Sequence, residues 1–146
     1  MGKIPRKILN SALRAAVKGC TTQRLEDSMQ CIKSLISHTA NVNAEDAEEG
    51  RTALMIACDK GYYQIVNELL DNSALVDHKD KKKRTALFYA VANQAQNVDV
   101  VQELLSRKAD VNFHSIHGIS PLHLAVEKGH FRILSLLLQN KADVKY

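Results

Sequence analysis

Tryptophan is absent, aromatic residues make up only 5% of the chain, and two prolines and six glycines are all that 146 residues contain. So few breakers and no low-complexity stretch exclude a linker-like or collagen-like polypeptide. With 45% hydrophobic residues and few large rings, packing must be built from Leu, Ile, Val and Ala, as in a helical domain. No apolar run reaches the roughly 18 residues of a membrane-spanning helix. The opening MGKIPRKILNSALRAAVKG has neither an uninterrupted apolar core nor a small-residue cleavage pattern, and Arg6 stands where a myristoylated Gly2 calls for Ser or Thr. These absences predict a protein of the cytoplasm, the nucleus or both, without membrane insertion.

Catalytic signatures are missing too. There is no Gly-rich phosphate loop, no H-E-x-x-H and no G-x-S-x-G. Cys20, Cys31 and Cys58 are odd in number and lack C-x-x-C spacing, so they read as reduced, buried structural thiols and not as a disulfide frame or zinc site. His114 and His117 are three apart but have no Cys or carboxylate beside them, so no metal is expected there. Ser120, His123 and Glu127 share one helix start, where capping and packing explain them better than a triad. The expectation is a non-enzyme with no cofactor, no metal and no small-molecule substrate.

What the chain does have is a repeat. GRTALMIACDKGYYQIVNELLDNSALVD begins at Gly50, KRTALFYAVANQAQNVDVVQELLSRKADVN at Lys83 and GISPLHLAVEKGHFRILSLLLQNKADVK at Gly118. Thr52 to Thr85 is 33 residues and Thr85 to Ser120 is 35, the extra two lying in ANQAQNVD. An earlier copy runs through ALRAAVKG and CIKSLISHTANVNA, with Asn10 at the Thr position and an insertion around TTQRLEDSM. A period in the low thirties means a stacked solenoid. GISPLHLAVEKGHFRILSLLLQNKADV resembles the ankyrin repeat, whose pattern runs G-x-T-P-L-H-x-A-A, G-H, I-V-x-L-L-L, G-A-D-V-N, and the resemblance covers nearly the whole chain in four copies.

Residue chemistry gives each copy a helix-turn-helix form. Thr or Ser caps the first helix, Pro121 needs no N–H at its first position, and Gly61 and Gly129 can take the left-handed turn that ends it. Helices of roughly ten residues are marginal alone and must be held by their neighbours. The predicted core is Leu54, Ala57, Ile65, Val66, Leu69 and Leu70 with their counterparts Leu87, Ala90, Val100, Val101, Leu104 and Leu105. The fold class expected is therefore an all-α ankyrin-repeat solenoid of stacked helix-turn-helix units joined by β-hairpin-like fingers. It forms one domain over 1–146, with repeats at about 7–44, 45–78, 79–112 and 113–146.

TALM and TALF lack the Pro and His of TPLH, which predicts weaker second and third copies, and Lys83 replaces a turn Gly. In the first copy Thr21 or Thr22 can cap a longer second helix along Leu25, Met29, Ile32, Leu35 and Ile36, so the insertion reads as helix. Lys3, Arg6, Lys7, Arg14 and Lys18 suit a solvated N-terminal unit. By contrast ILSLLLQNKADVKY has no polar outer face, which points to a piece of a longer array, with an exposed contact surface as the alternative.

The resemblance implies a concave groove of finger tips and inner helices that binds other proteins. Carried onto this sequence, its contact positions include Glu48, Glu49 and Arg51 on an acidic tip, NAEDAEEG. They continue with Lys79, Lys81, Lys82 and Arg84 on a basic tip, HKDKKKR, and His114, Ile116, His117 and Ile119 with Phe113 close by on NFHSIHGI. The leading expectation is a scaffold for a partner segment with acidic residues beside an apolar anchor, the lysines steering and Phe113, Ile116 and Ile119 anchoring. Two alternatives stand beside it: the charged tips pair with each other, and Phe113 or Ile116 folds against the helices. A spacer or assembly segment of a longer ankyrin protein is the other functional reading. Nucleic-acid binding through KDKKKR is disfavoured by the neighbouring carboxylates and by the lack of interleaved aromatics.

Overall fold

The computed structural model describes residues 3–141, so Gly2 and the final ADVKY lie outside the described residues. Four helix pairs follow one another: α1 (Arg6–Lys18) and α2 (Leu25–Ser37), α3 (Ala53–Lys60) and α4 (Tyr63–Asp71), α5 (Ala86–Ala92) and α6 (Val98–Ser106), α7 (Pro121–Lys128) and α8 (Phe131–Gln139). The described residues contain no strand. α1, α3, α5 and α7 pack in succession as one row, and α4, α6 and α8 as a second. This is the all-α solenoid expected from the repeat.

The start of each later pair follows its sequence. Thr52, Thr85 and Ser120 take extended backbone ahead of α3, α5 and α7. Thr52 Oγ accepts Met55 N–H at 3.4 Å, and Ser120 builds a capping box in which Ser120 Oγ accepts His123 N–H while His123 Nδ1 accepts Ser120 N–H. Gly61 and Gly129 end α3 and α7 with φ of 74° and 70°, a region that costs glycine little. The two-residue insertion forms the bend 93–97, where Gln96 has φ 51°.

All twelve core residues named from the sequence are buried. Backbone and side-chain bonds then rivet each turn to the unit before it. Tyr62 Oη donates to Cys20 O at 3.1 Å, Asn93 Nδ2 donates to Asp59 O, and His130 Nδ1 lies 2.9 Å from Val91 O. Leu75 N–H donates to Asn43 Oδ1 and Asp110 N–H to Asp77 Oδ1, two further links of the same kind.

Four expectations need correction. Asn10 is not a cap: α1 begins a turn earlier, behind Pro5, and Asn10 Oδ1 instead accepts Asn41 N–H at 2.6 Å. The insertion in the first copy is helical as expected, a 3-10 turn (Thr22–Arg24) leading into α2, but neither Thr21 nor Thr22 makes a side-chain cap. Thr85 makes none either, and its Oγ1 is buried without a hydrogen bond. Cys20 and Cys58 are buried, whereas Cys31 is exposed on the solvent side of α2.

Ser120→Ala should cost about 1 kcal/mol of unfolding free energy, while Thr85→Val, which removes an unpartnered hydroxyl, should be close to neutral. Hydrogen exchange should find α5 opening at lower free energy than α3, which also has an inner helix on either side but keeps its Thr52 cap; equal protection would exclude a weak third copy. Thr39, Ser73, Lys108 and Lys141 all hold φ between 65° and 72° just after their second helices. Lys108→Gly should therefore raise the urea midpoint, with a gain of up to about 1 kcal/mol.

Candidate functional site

The segments between helix pairs form three fingers, each closed by a short polar side chain. Asp46 Oδ1 accepts the N–H of Glu49 at 2.8 Å and of Gly50 at 2.9 Å. Asp80 Oδ1 accepts those of Lys82 at 2.9 Å and Arg84 at 2.8 Å, and Ser115 Oγ accepts those of His117 and Ile119. Lys83 has φ 57°, so it adopts the left-handed turn that Gly50 and Gly118 make in the other two fingers. The fingers are also bonded to one another: Lys81 N–H donates to Glu49 O at 2.9 Å and Ile116 N–H to Lys82 O at 3.1 Å.

Charge on the first two fingers is largely spent between them. Arg84 reaches Glu49 at 2.6 Å and Asp80 at 2.8 Å; Lys81 Nζ donates to Ala47 O at 2.6 Å and Glu48 O at 3.2 Å; His78 meets Glu45 at 2.6 Å. Arg51 stays within its own finger, 3.5 Å from Asp46. The alternative in which the charged tips pair with each other thus holds for Glu49 and Arg84, while Lys81 is held by backbone carbonyls of the neighbouring finger. Lys79, Lys82 and Lys83 are exposed and form no ion pair among the described residues, and the Glu48 carboxylate is exposed as well.

The third finger divides its apolar residues. Phe113 is only 4% exposed and lies against Phe88, ring centroids 6.3 Å apart, so it is a core residue and cannot be the exposed anchor. Packing on the α5 ring buries more apolar area than a solvated tip would. Ile116 is 51% exposed, His117 is exposed, and His114 and Ile119 are half-buried. Lys79, Lys82, Ile116 and His117 are therefore the candidates that remain available on neighbouring fingers.

Sequence reasoning passed over Asp80 and Tyr89. The Asp80 side chain is fully buried, and its Oδ2 accepts from Tyr89 Oη at 2.6 Å and from Arg84 Nε at 2.8 Å. The Arg84 guanidinium lies 5.0 Å from the centre of the Tyr89 ring. Burial alone would raise the Asp80 carboxyl; the Tyr89 hydroxyl, the Arg84 N–H and the Arg84 guanidinium outweigh it and hold the group below the usual carboxylate range. Burial and the bond to Asp80 push the Tyr89 hydroxyl up. The readable signal was an Asp four residues ahead of an Arg at a finger whose turn residue was not Gly.

A carboxylate with a depressed folded-state pKa adds stability above its unfolded pKa, and that contribution is lost as pH falls through the folded value. Unfolding free energy should thus decline as pH drops below about 4. Asp80→Asn should cost about 1.5–3 kcal/mol at neutral pH and shallow the acid decline. Urea titrations at neutral and acid pH measure both, and an unchanged acid slope would remove Asp80 from this role.

The family model described as "Ankyrin repeats (3 copies)" matches residues 11–80 and 74–146. The human transient receptor potential cation channel subfamily A member 1 is 33% identical over 117 residues, covering 78% of this chain and 10% of the channel. The Drosophila melanogaster ankyrin repeat and KH domain-containing protein mask is 34% identical over 119 residues, 78% of this chain and 3% of that protein. The Mus musculus B-cell lymphoma 3 protein homolog is 35% identical over 121 residues, 80% of this chain and 26% of that protein. The chain thus spans a minor part of the length of these relatives. Matched over most of its length by the family model and folded as stacked helix pairs with bonded fingers, the chain belongs to the ankyrin repeat family.

Proposed function

We propose that the chain is a protein-interaction scaffold whose finger row holds a partner segment in the groove beside the inner helices, with acidic residues next to an apolar side chain. Ankyrin repeats generally mediate protein–protein contact and are generally not catalytic, which supports the coarser half of this reading. The finer half rests on one observation: Lys79 and Lys82, like Lys83 between them and Arg84, stand uncommitted on a finger whose Lys81 and Arg84 are spent internally, and Ile116 N–H bonds the next finger to Lys82 O. Cation and apolar side chain are thereby presented side by side on a fixed ladder. The lysines steer an acidic segment and Ile116 supplies contact area that needs no further ordering. A cytoplasmic or nuclear setting is part of the same reading.

The test selects binders from a displayed peptide library on the intact chain. Selected sequences should be rich in Asp and Glu beside Leu, Ile or Phe. Lys79→Glu/Lys82→Glu should slow their association by about tenfold at low salt and flatten its salt dependence. Ile116→Ser should speed dissociation. Selection without acidic bias, or rates indifferent to both changes, would discard the finger row as the contact surface.

A further inference from the structure

The face of the last helix pair that points away from the stack carries a second surface. In the inner helices Leu54, Leu87 and Leu122 are equivalent, as are Cys58, Val91 and Val126; in the outer helices Val66, Val101 and Leu134 correspond, and Leu70, Leu105 and Leu138. At these positions the second and third units are buried throughout, with no side chain more than 8% exposed. In the fourth unit Val126 is 62% exposed and Leu138 45%, and Leu122 and Leu134 are only half-buried. Leu and Val there leave apolar area in water that the same positions bury twice elsewhere in the chain.

Hydrogen bonding repeats the pattern. The carbonyl just before the finger turn accepts an N–H from the next finger at Glu49 and at Lys82; the equivalent group is the carbonyl of His117, which accepts no hydrogen bond among the described residues. From this shared register we infer that the outer face of α7 and α8 is the seat of a further helix pair of the same repeat type, stacked in the same sense and carrying its own finger. It continues the interface already made between the second and third units and between the third and fourth.

A second copy of this chain is a poor occupant. Stacked head to tail, it would present α1, where Arg14 stands at the position of buried Ile56, Tyr89 and Leu124, and would desolvate a guanidinium. No finger precedes α1 among the described residues, so the copy brings no N–H for His117 O.

The probe is one consensus ankyrin unit with a polar capping unit, fused after Tyr146 of the full chain. Amides of α7 and α8 should gain at least about tenfold in exchange protection, through nearest-neighbour coupling. Val126→Asp/Leu138→Asp should abolish that gain, yet leave the unfused chain at its original urea midpoint, since both side chains are exposed there. Sedimentation should show the unfused chain as a monomer. A fusion without added protection, or protection that survives the double substitution, would overturn the inference. So would a dimer of the unfused chain that the double substitution dissolves, because the face would then serve self-association. None of these readouts involves the finger row, so the inference stands or falls apart from the peptide-binding reading.

Discussion

An isolated α5, seven residues long, would be a coil in water, because the cost of nucleating a helix is recovered only over about 12–15 residues. It is helical because α3 and α7 pack against it on either side. Leu87, Ala90 and Val91 are removed from solvent entirely. The same dependence holds along the stack, so stability resides in the junctions between units more than in the units themselves. The cross-links from Tyr62, Asn93 and His130 lie at those junctions, each tying a turn to a carbonyl at the end of the preceding inner helix.

That arrangement decides which charged side chains the fold itself consumes. The fingers are joined by backbone pairing, Lys81 N–H to Glu49 O and Ile116 N–H to Lys82 O, and by the Arg84–Glu49 ion pair, with Asp80 holding Arg84 in place. The Arg84 fork reaches two carboxylates at once, a geometry that a lysine point charge does not reproduce. The side chains of Lys79 and Lys82 are left with no such duty. The basic run is thus two sets of residues with different tasks, interleaved in one loop.

The repeat, the helix pairs and the core were legible in the sequence because they rest on periodicity and on local rules: Thr52 and Ser120 cap, Gly61 and Gly129 turn, and Leu and Val recur at helical spacing. What escaped were choices settled between units. Phe113 reads as a tip residue until the ring of Phe88, far away in the sequence, is placed beside it. Asp80 reads as one charge among several until Tyr89 and Arg84 close over it. Cys31 reads as a buried thiol by residue type, yet the longer α2 turns it outward, since Ile32 takes the position facing the core. Asn10 reads as a cap by alignment, but α1 has an extra turn ahead of it.

The division of labour within the basic finger has an evolutionary side. Side-chain changes at Lys79 or Lys82 touch no bond on which the stack relies, while changes at Arg84, or at the Asp80 that holds it, loosen two fingers together. On the proposed reading, mutation can therefore explore new binding preferences at the first pair almost silently with respect to folding. What the proposed surface binds can drift along paths that never pass through a misfolded intermediate.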